Sequence, residues 1–213
     1  NTPDKDWLGF FGPDGGTVCV GDFEVSRNVV HGCRRGLNIP NATTGRNLIT
    51  RNEIYDYGTD CIVFQSGNNT EISWNYMHSP WEDPASIDHG DFIQCAYRGS
   101  TDITGLRIFG TIGNAYRYDG IASKHHYQGI FLDDIGTNSP GTTADDTATH
   151  YDGVRVFGNI IITDISHGVW MRPAENGFVW RNTTIKDPTT ATIGSGYPHI
   201  GEDSSACVPP TMP

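Results

Sequence analysis

Cationic residues are scarce in this chain, with 14 lysines and arginines against 25 aspartates and glutamates, a formal charge of −11 over 213 residues. That balance argues against a nucleic-acid backbone as partner, because phosphate binding is driven by cationic side chains. Long apolar runs are missing as well; none approaches the ~20 residues that a membrane span requires. The five cysteines, Cys19, Cys33, Cys61, Cys95 and Cys207, never form a C-x-x-C pair, which argues against zinc. A Cys19–Cys33 bridge is one option, while Cys95 alternates with core residues and reads as a buried thiol. No signal peptide precedes Asn1, so the chain is cytosolic, already processed or without its true start. Strong helix formers are sparse, which leaves short strands and turns.

Turn formers are abundant instead: 26 glycines, with frequent asparagine and threonine. N-x-[ST] triplets begin at Asn41, Asn68 and Asn182, a pattern that secreted chains use for glycosylation. The most informative feature is a repeat. The motif apolar-x-x-Asn-x-apolar occurs at 25–30, 49–54, 72–77 and 156–161, with degenerate copies from Ile108 and Val179. First residues step by 24, 23, 36, 48 and 23 (25→49→72→108→156→179). A short apolar strand follows each of the first five copies: 36–39, 61–64, 92–95, 129–132 and 168–171. A period near two dozen residues with two short strands per period predicts a coil of a parallel β-solenoid. The recurring asparagine fits a bend at which its amide bonds the same residue one coil away.

On this N-x-apolar…Gly-apolar pattern, from about Val18 to Asp187, the chain resembles the right-handed parallel β-helix (pectate-lyase-like) superfamily. The resemblance implies an all-β chain: one right-handed parallel β-helix of about six coils over 18–187. Residues 1–17 would form an N-terminal cap or irregular segment, and 188–213 an irregular tail. It also implies an extracellular or secreted protein acting on an acidic polysaccharide or other glycan, without an organic cofactor. Related solenoids serve as surface or phage tail-spike fibres, so a homo-oligomeric, non-catalytic glycan binder is the alternative.

Insertions cluster. From Asn motif to following strand the chain takes 11, 12, 20, 21 and 12 residues (25→36, 49→61, 72→92, 108→129, 156→168). The third and fourth coils therefore carry long loops, which should frame a groove over 92–95 and 129–132. Strand alternation sends Leu37, Ile62, Ile93, Ile130 and Val169 inward, with Ile39, Phe64, Cys95, Leu132 and Met171 as a second row. Outward go Asn38, Val63, Gln94, Phe131 and Trp170, then Pro40, Gln65, Ala96, Asp133 and Arg172. The turn position before each strand holds Arg35, Asp60, Asp91, Gln128 and His167.

The expected groove thus gathers His89, Asp91 and Gln94; Lys124, His126, Gln128, Phe131 and Asp133; and His167, Trp170 and Arg172. Phe131 and Trp170 offer apolar faces to a sugar ring, with Gln94, Gln128, Lys124 and His126 at its polar edges. By the resemblance, Asp60, Asp91 and Asp133 would hold Ca²⁺ through oxygen ligands. Elimination on a uronic-acid chain, or C5-epimerisation, would then use His167 or Arg172 near the α-proton, with Asp91, Asp133 and His89 as further catalytic candidates. The alternative chemistry is hydrolysis by Asp91 and Asp133 as an acid–base pair on adjacent coils.

Overall fold

The computed structural model describes residues 18–20, 22–39, 41–64, 68–80, 90–97, 103–115, 127–134, 151–163, 167–172, 174–186 and 197–200. At 18–20, 41–44, 96–97, 133–134, 167, 172, 174–175, 186 and 197–200 only the backbone is described. Among these residues there is no helix, and every strand pairing is parallel. Among the described residues no helix is long and apolar enough to cross a membrane.

Besides a three-stranded and a two-stranded parallel sheet, the described strands form three six-stranded sheets. The chain visits them in a fixed order: Phe23–Ser26 in the first, Val29–Cys33 in the second, Leu37–Ile39 in the third, then Asn47–Thr50 in the first again. Each return lays a strand beside the previous one in its own sheet. Such stacked parallel sheets are compatible with a β-helix or solenoid.

Alternation decides which side chains enter the core. In the third sheet Leu37, Ile62, Ile93, Ile130 and Val169 are successive register partners, as are Ile39, Phe64, Cys95, Leu132 and Met171. All ten are at most 2% exposed. These are the two inner rows that the alternation predicts, and each aliphatic or aromatic side chain buried this way contributes roughly 1.5–3 kcal/mol. Cys33, Cys61 and Cys95 are buried thiols, so no Cys19–Cys33 bridge forms.

The bend between the first and second sheets explains the recurring asparagine. Asn28 donates its side-chain amide to Asn52 Oδ1 (3.0 Å), Asn52 to Asn75 Oδ1 (2.9 Å), and Asn159 to Asn182 Oδ1 (2.8 Å). Each amide also reaches a backbone carbonyl, Val25 for Asn52 and Ile49 for Asn75, so the buried polar groups satisfy one another. At the degenerate copy Thr111 stands in line, and its backbone N–H donates to Asn159 Oδ1 at 3.0 Å. The residue before each of these positions lies in the left-handed region: Arg27, Arg51, Trp74, Gly110, Gly158 and Arg181 have φ between 50° and 64°.

The glycines just ahead of the apolar runs of the third sheet answer to close packing. A Cβ at Gly36 would come within 2.7 Å of the Ile54 side chain, and one at Gly129 would run into the Gly168 carbonyl. At the C-terminal end the structure departs from expectation. The glycine and proline content of 188–213 predicts an irregular tail, yet Tyr197–Ile200 pairs with His167–Arg172 as the last described strand of the third sheet. Pro198 falls where the register of this pairing shifts, between the partners of His167 and Trp170, an irregularity that tolerates a residue without a ladder N–H. The expected cap at 1–17 lies outside the described residues.

Candidate functional site

Strands of the third sheet lengthen in its middle, from 3 residues at Leu37–Ile39 and Ile62–Phe64 to 8 at Gly90–Tyr97 and Tyr127–Asp134, then 6 at His167–Arg172. Longer strands give the sheet a broader outer face at that point. Between the two inner rows the outward register line is Asn38, Val63, Gln94, Phe131 and Trp170. Gln94, Phe131 and Trp170 are half-buried, while Val63 is 4% exposed. The Phe131 and Trp170 rings are nearly parallel, 16° apart, with centroids at 6.1 Å. Two positions farther along, the register sets Ala96, Asp133 and Arg172 in line on the same three strands. An amide, two parallel rings and a carboxylate–guanidinium pair of positions therefore share one ledge. That mixture suits a ligand with apolar faces and hydroxylated or charged edges.

The positions preceding the strands behave differently. The strand begins at Gly90, before Asp91, and strict alternation breaks at this end: Phe92 and Ile93, adjacent in sequence, are both fully buried, with the Phe92 ring packed over Gly113. Asp91 is fully buried, Asp60 is 5% exposed and Gln128, its register partner, is 7% exposed. Asp91 and Gln128, expected in the groove, are thus both covered, while the Arg35 side chain that reaches Asp60 stays 41% exposed. Asp60 Oδ1 accepts the Asp91 backbone N–H at 3.2 Å, and Arg35 Nε lies 3.7 Å from Asp60 Oδ2. Burial, and then the neighbouring Asp60 charge, push the Asp91 carboxyl well above the usual carboxylate range. Alongside, the fully buried Tyr57 hydroxyl and Cys61 thiol are also raised, chiefly by burial, and so stay neutral.

The register also separates residues that the sequence reading had put together. Asp133 pairs with Ala96 and Arg172, five positions along from Gln128, which is the residue opposite Asp91. At about 3.3 Å per residue this is roughly 16 Å along the strand, and it is out of phase. Asp91 and Asp133 therefore do not form an acid–base pair on adjacent strands. By the same register Asp60 and Asp91 are neighbours, and Asp133 stands five positions along from them. His167 stands at the Gln128 end of its strand, also five positions from Arg172. His89, Lys124 and His126 lie outside the described residues.

Another cluster escaped the sequence reading. On the outer face of the first sheet Arg107 pairs with Arg155 and Phe109 with Phe157, and Phe157 with Trp180 on the next strand. The signal was present: Arg107-Ile108-Phe109-Gly110 and Arg155-Val156-Phe157-Gly158 are near-copies. Attention to the apolar and Asn phases passed over the residues on either side of them. No family model, curated protein or solved structure matches this chain, so its chemistry is argued from its own residues.

Proposed function

We propose that the chain is a right-handed parallel β-helix of about six coils, of the pectate-lyase-like class, that engages an extracellular polysaccharide along the outer ledge of its third sheet. Long loops on the third and fourth coils would wall this ledge. The observation that carries the reading is the ledge itself: Gln94, Phe131 and Trp170 in register, with Asp133 opposite Arg172 two positions on. Support for the fold comes from the fixed order in which the chain visits its three sheets and from the asparagine ladder.

Within this reading the favoured chemistry is β-elimination on a uronic-acid chain, or the related C5-epimerisation. Arg172 is the residue of choice near the α-proton because its strand position adjoins Trp170; His167, at the far end of that strand, is not needed at the same sugar. Hydrolysis by Asp91 and Asp133 is disfavoured, since Asp91 is fully buried and Asp133 stands five positions farther along the sheet. Binding without turnover is the second reading, and it requires only the stacked rings and amide.

Incubation with acidic polysaccharides separates these options. A rise in ultraviolet absorbance from a new double bond supports elimination, and Arg172→Ala should then lower the rate at least a hundredfold with the melting temperature unchanged. Reducing ends without that absorbance would contradict it and reinstate hydrolysis. Neither product, together with measurable glycan affinity, would assign a binding protein.

A further inference from the structure

The outer face of the first sheet sets two arginines side by side on neighbouring strands of a chain that is otherwise acidic. Glu71, Arg107 and Arg155 occupy one register position on three neighbouring strands, about 4.8 Å apart. The Glu71 carboxylate accepts both Arg46 (2.9 Å) and Arg107 (3.2 Å). Among the described residues no carboxylate reaches Arg155. Two guanidinium groups thus share one carboxylate while Arg155 has none among the described residues, on a chain whose formal charge is −11. Like charges directly opposite each other on neighbouring strands destabilise a sheet, so the Arg107–Arg155 pair costs stability until an anion lies between its members.

These arginines, with Gly45, Gly105 and Gly153, line a cavity of about 400 Å³, within the roughly 300–1,000 Å³ range of small-ligand sites. The three glycines have φ of 90°, 70° and 65°. A Cβ at Gly153 would meet no atom within 4 Å, so glycine there serves the left-handed turn and keeps the cavity floor low. Beside the arginines, Phe109 and Phe157 stack at 5.0 Å with planes 8° apart, and Trp180, 41% exposed, continues the line.

We propose that this cavity is an oxyanion site that takes a sulfate or carboxylate group borne on a sugar chain. Arg107 and Arg155 present the planar donor fork that matches an oxyanion, while Phe109, Phe157 and Trp180 flank the attached rings. The site is on a different sheet from the Trp170 ledge. It draws on the glycan reading only for the carrier of the anion, not for the anion site.

The test titrates the wild-type chain and Arg155→Gln with sodium sulfate, a sulfated oligosaccharide, an oligouronide and a neutral oligosaccharide of equal length, by calorimetry and thermal melting. At least one anionic oligosaccharide should bind at least tenfold more tightly than the neutral one, and added salt should weaken it. Arg155→Gln should lose at least tenfold of that affinity, and sulfate should raise the melting temperature of the wild type only. Arg155 is exposed, so its replacement leaves the core intact; Arg155→Lys, which keeps charge without the fork, should retain part of the affinity. Sulfate binding without any gain from a sugar chain would keep the anion site and overturn its carrier. Equal affinities of wild type and Arg155→Gln for every anion would overturn the site. Trp170→Ala should leave the sulfate response untouched; if it alone abolishes anionic-sugar binding, the ligand belongs to the ledge and this proposal falls.

Discussion

Two corners of the molecule recur at nearly every turn of the chain and could hardly differ more. At the bend from first to second sheet the same residue type returns, and each asparagine spends its amide on its neighbour and on a backbone carbonyl. At the entrance to the third sheet the corresponding positions run Arg35, Asp60, Asp91, Gln128 and His167. There two carboxyl groups are buried side by side, and one of them is pushed well above its usual range. Where a position repeats, it is building the frame. Where it changes from strand to strand, the frame is being adapted to something else.

Removing a rung of the ladder should give the larger effect. Asn52 donates to Val25 O and Asn75 Oδ1 and accepts from both the backbone and side-chain N–H of Asn28. Asn52→Ala leaves several of these groups buried without a partner, at about 3 kcal/mol in all. Urea unfolding should show that loss as a lower midpoint at unchanged slope. A loss below about 0.5 kcal/mol would mean that the ladder decorates the bend and does not hold it.

The entrance corner should respond to pH, and in the opposite direction to an ordinary ion pair. With its folded carboxyl raised above the unfolded value, Asp91 binds its proton more tightly in the folded state. Its contribution is favourable below about pH 4 and is lost as pH rises through the folded value. Asp91→Asn removes a carboxyl that must either stay protonated or carry a buried charge. The variant should therefore match the wild type near pH 4 and exceed it at neutral pH by on the order of 1 kcal/mol. Melting temperatures across that range would show it; a gap that closes as pH rises would contradict the assignment.

The smallest effect belongs to the bend's own backbone. Arg51 sits at φ 56°, where a non-glycine residue costs roughly 1–2 kcal/mol. Glycine relieves that cost but has more freedom to lose on folding, by roughly 0.5–1 kcal/mol. Arg51→Gly should thus be neutral to about 1 kcal/mol more stable in a urea titration, whereas Arg51→Val should be destabilised.

Much of this was legible in the residues. The inner rows of the third sheet follow from alternation, because burying Ile93 and Leu132 fixes the face of every other position. The ladder follows from an asparagine that returns at one phase. Asp91 was misplaced because Gly90-Asp91 looks like a turn. In fact Gly90 opens the strand, where a side chain would strike the Tyr127 ring, and Asp91 is fully buried beside Asp60. The Arg107–Arg155 pair was passed over for a different reason. Outward residues carry no hydrophobic period, and the two copies acquire meaning only when the register lays one beside the other.

The central claim is that the adapted part of the third sheet, and not its repeating frame, meets the ligand. Calorimetric titration of a polysaccharide that the wild type binds or turns over, repeated with Trp170→Ala, tests it directly. The account predicts at least a tenfold loss of affinity with an unchanged melting temperature, the expected cost of removing a stacked aromatic anchor. Equal affinity in the two proteins would contradict it.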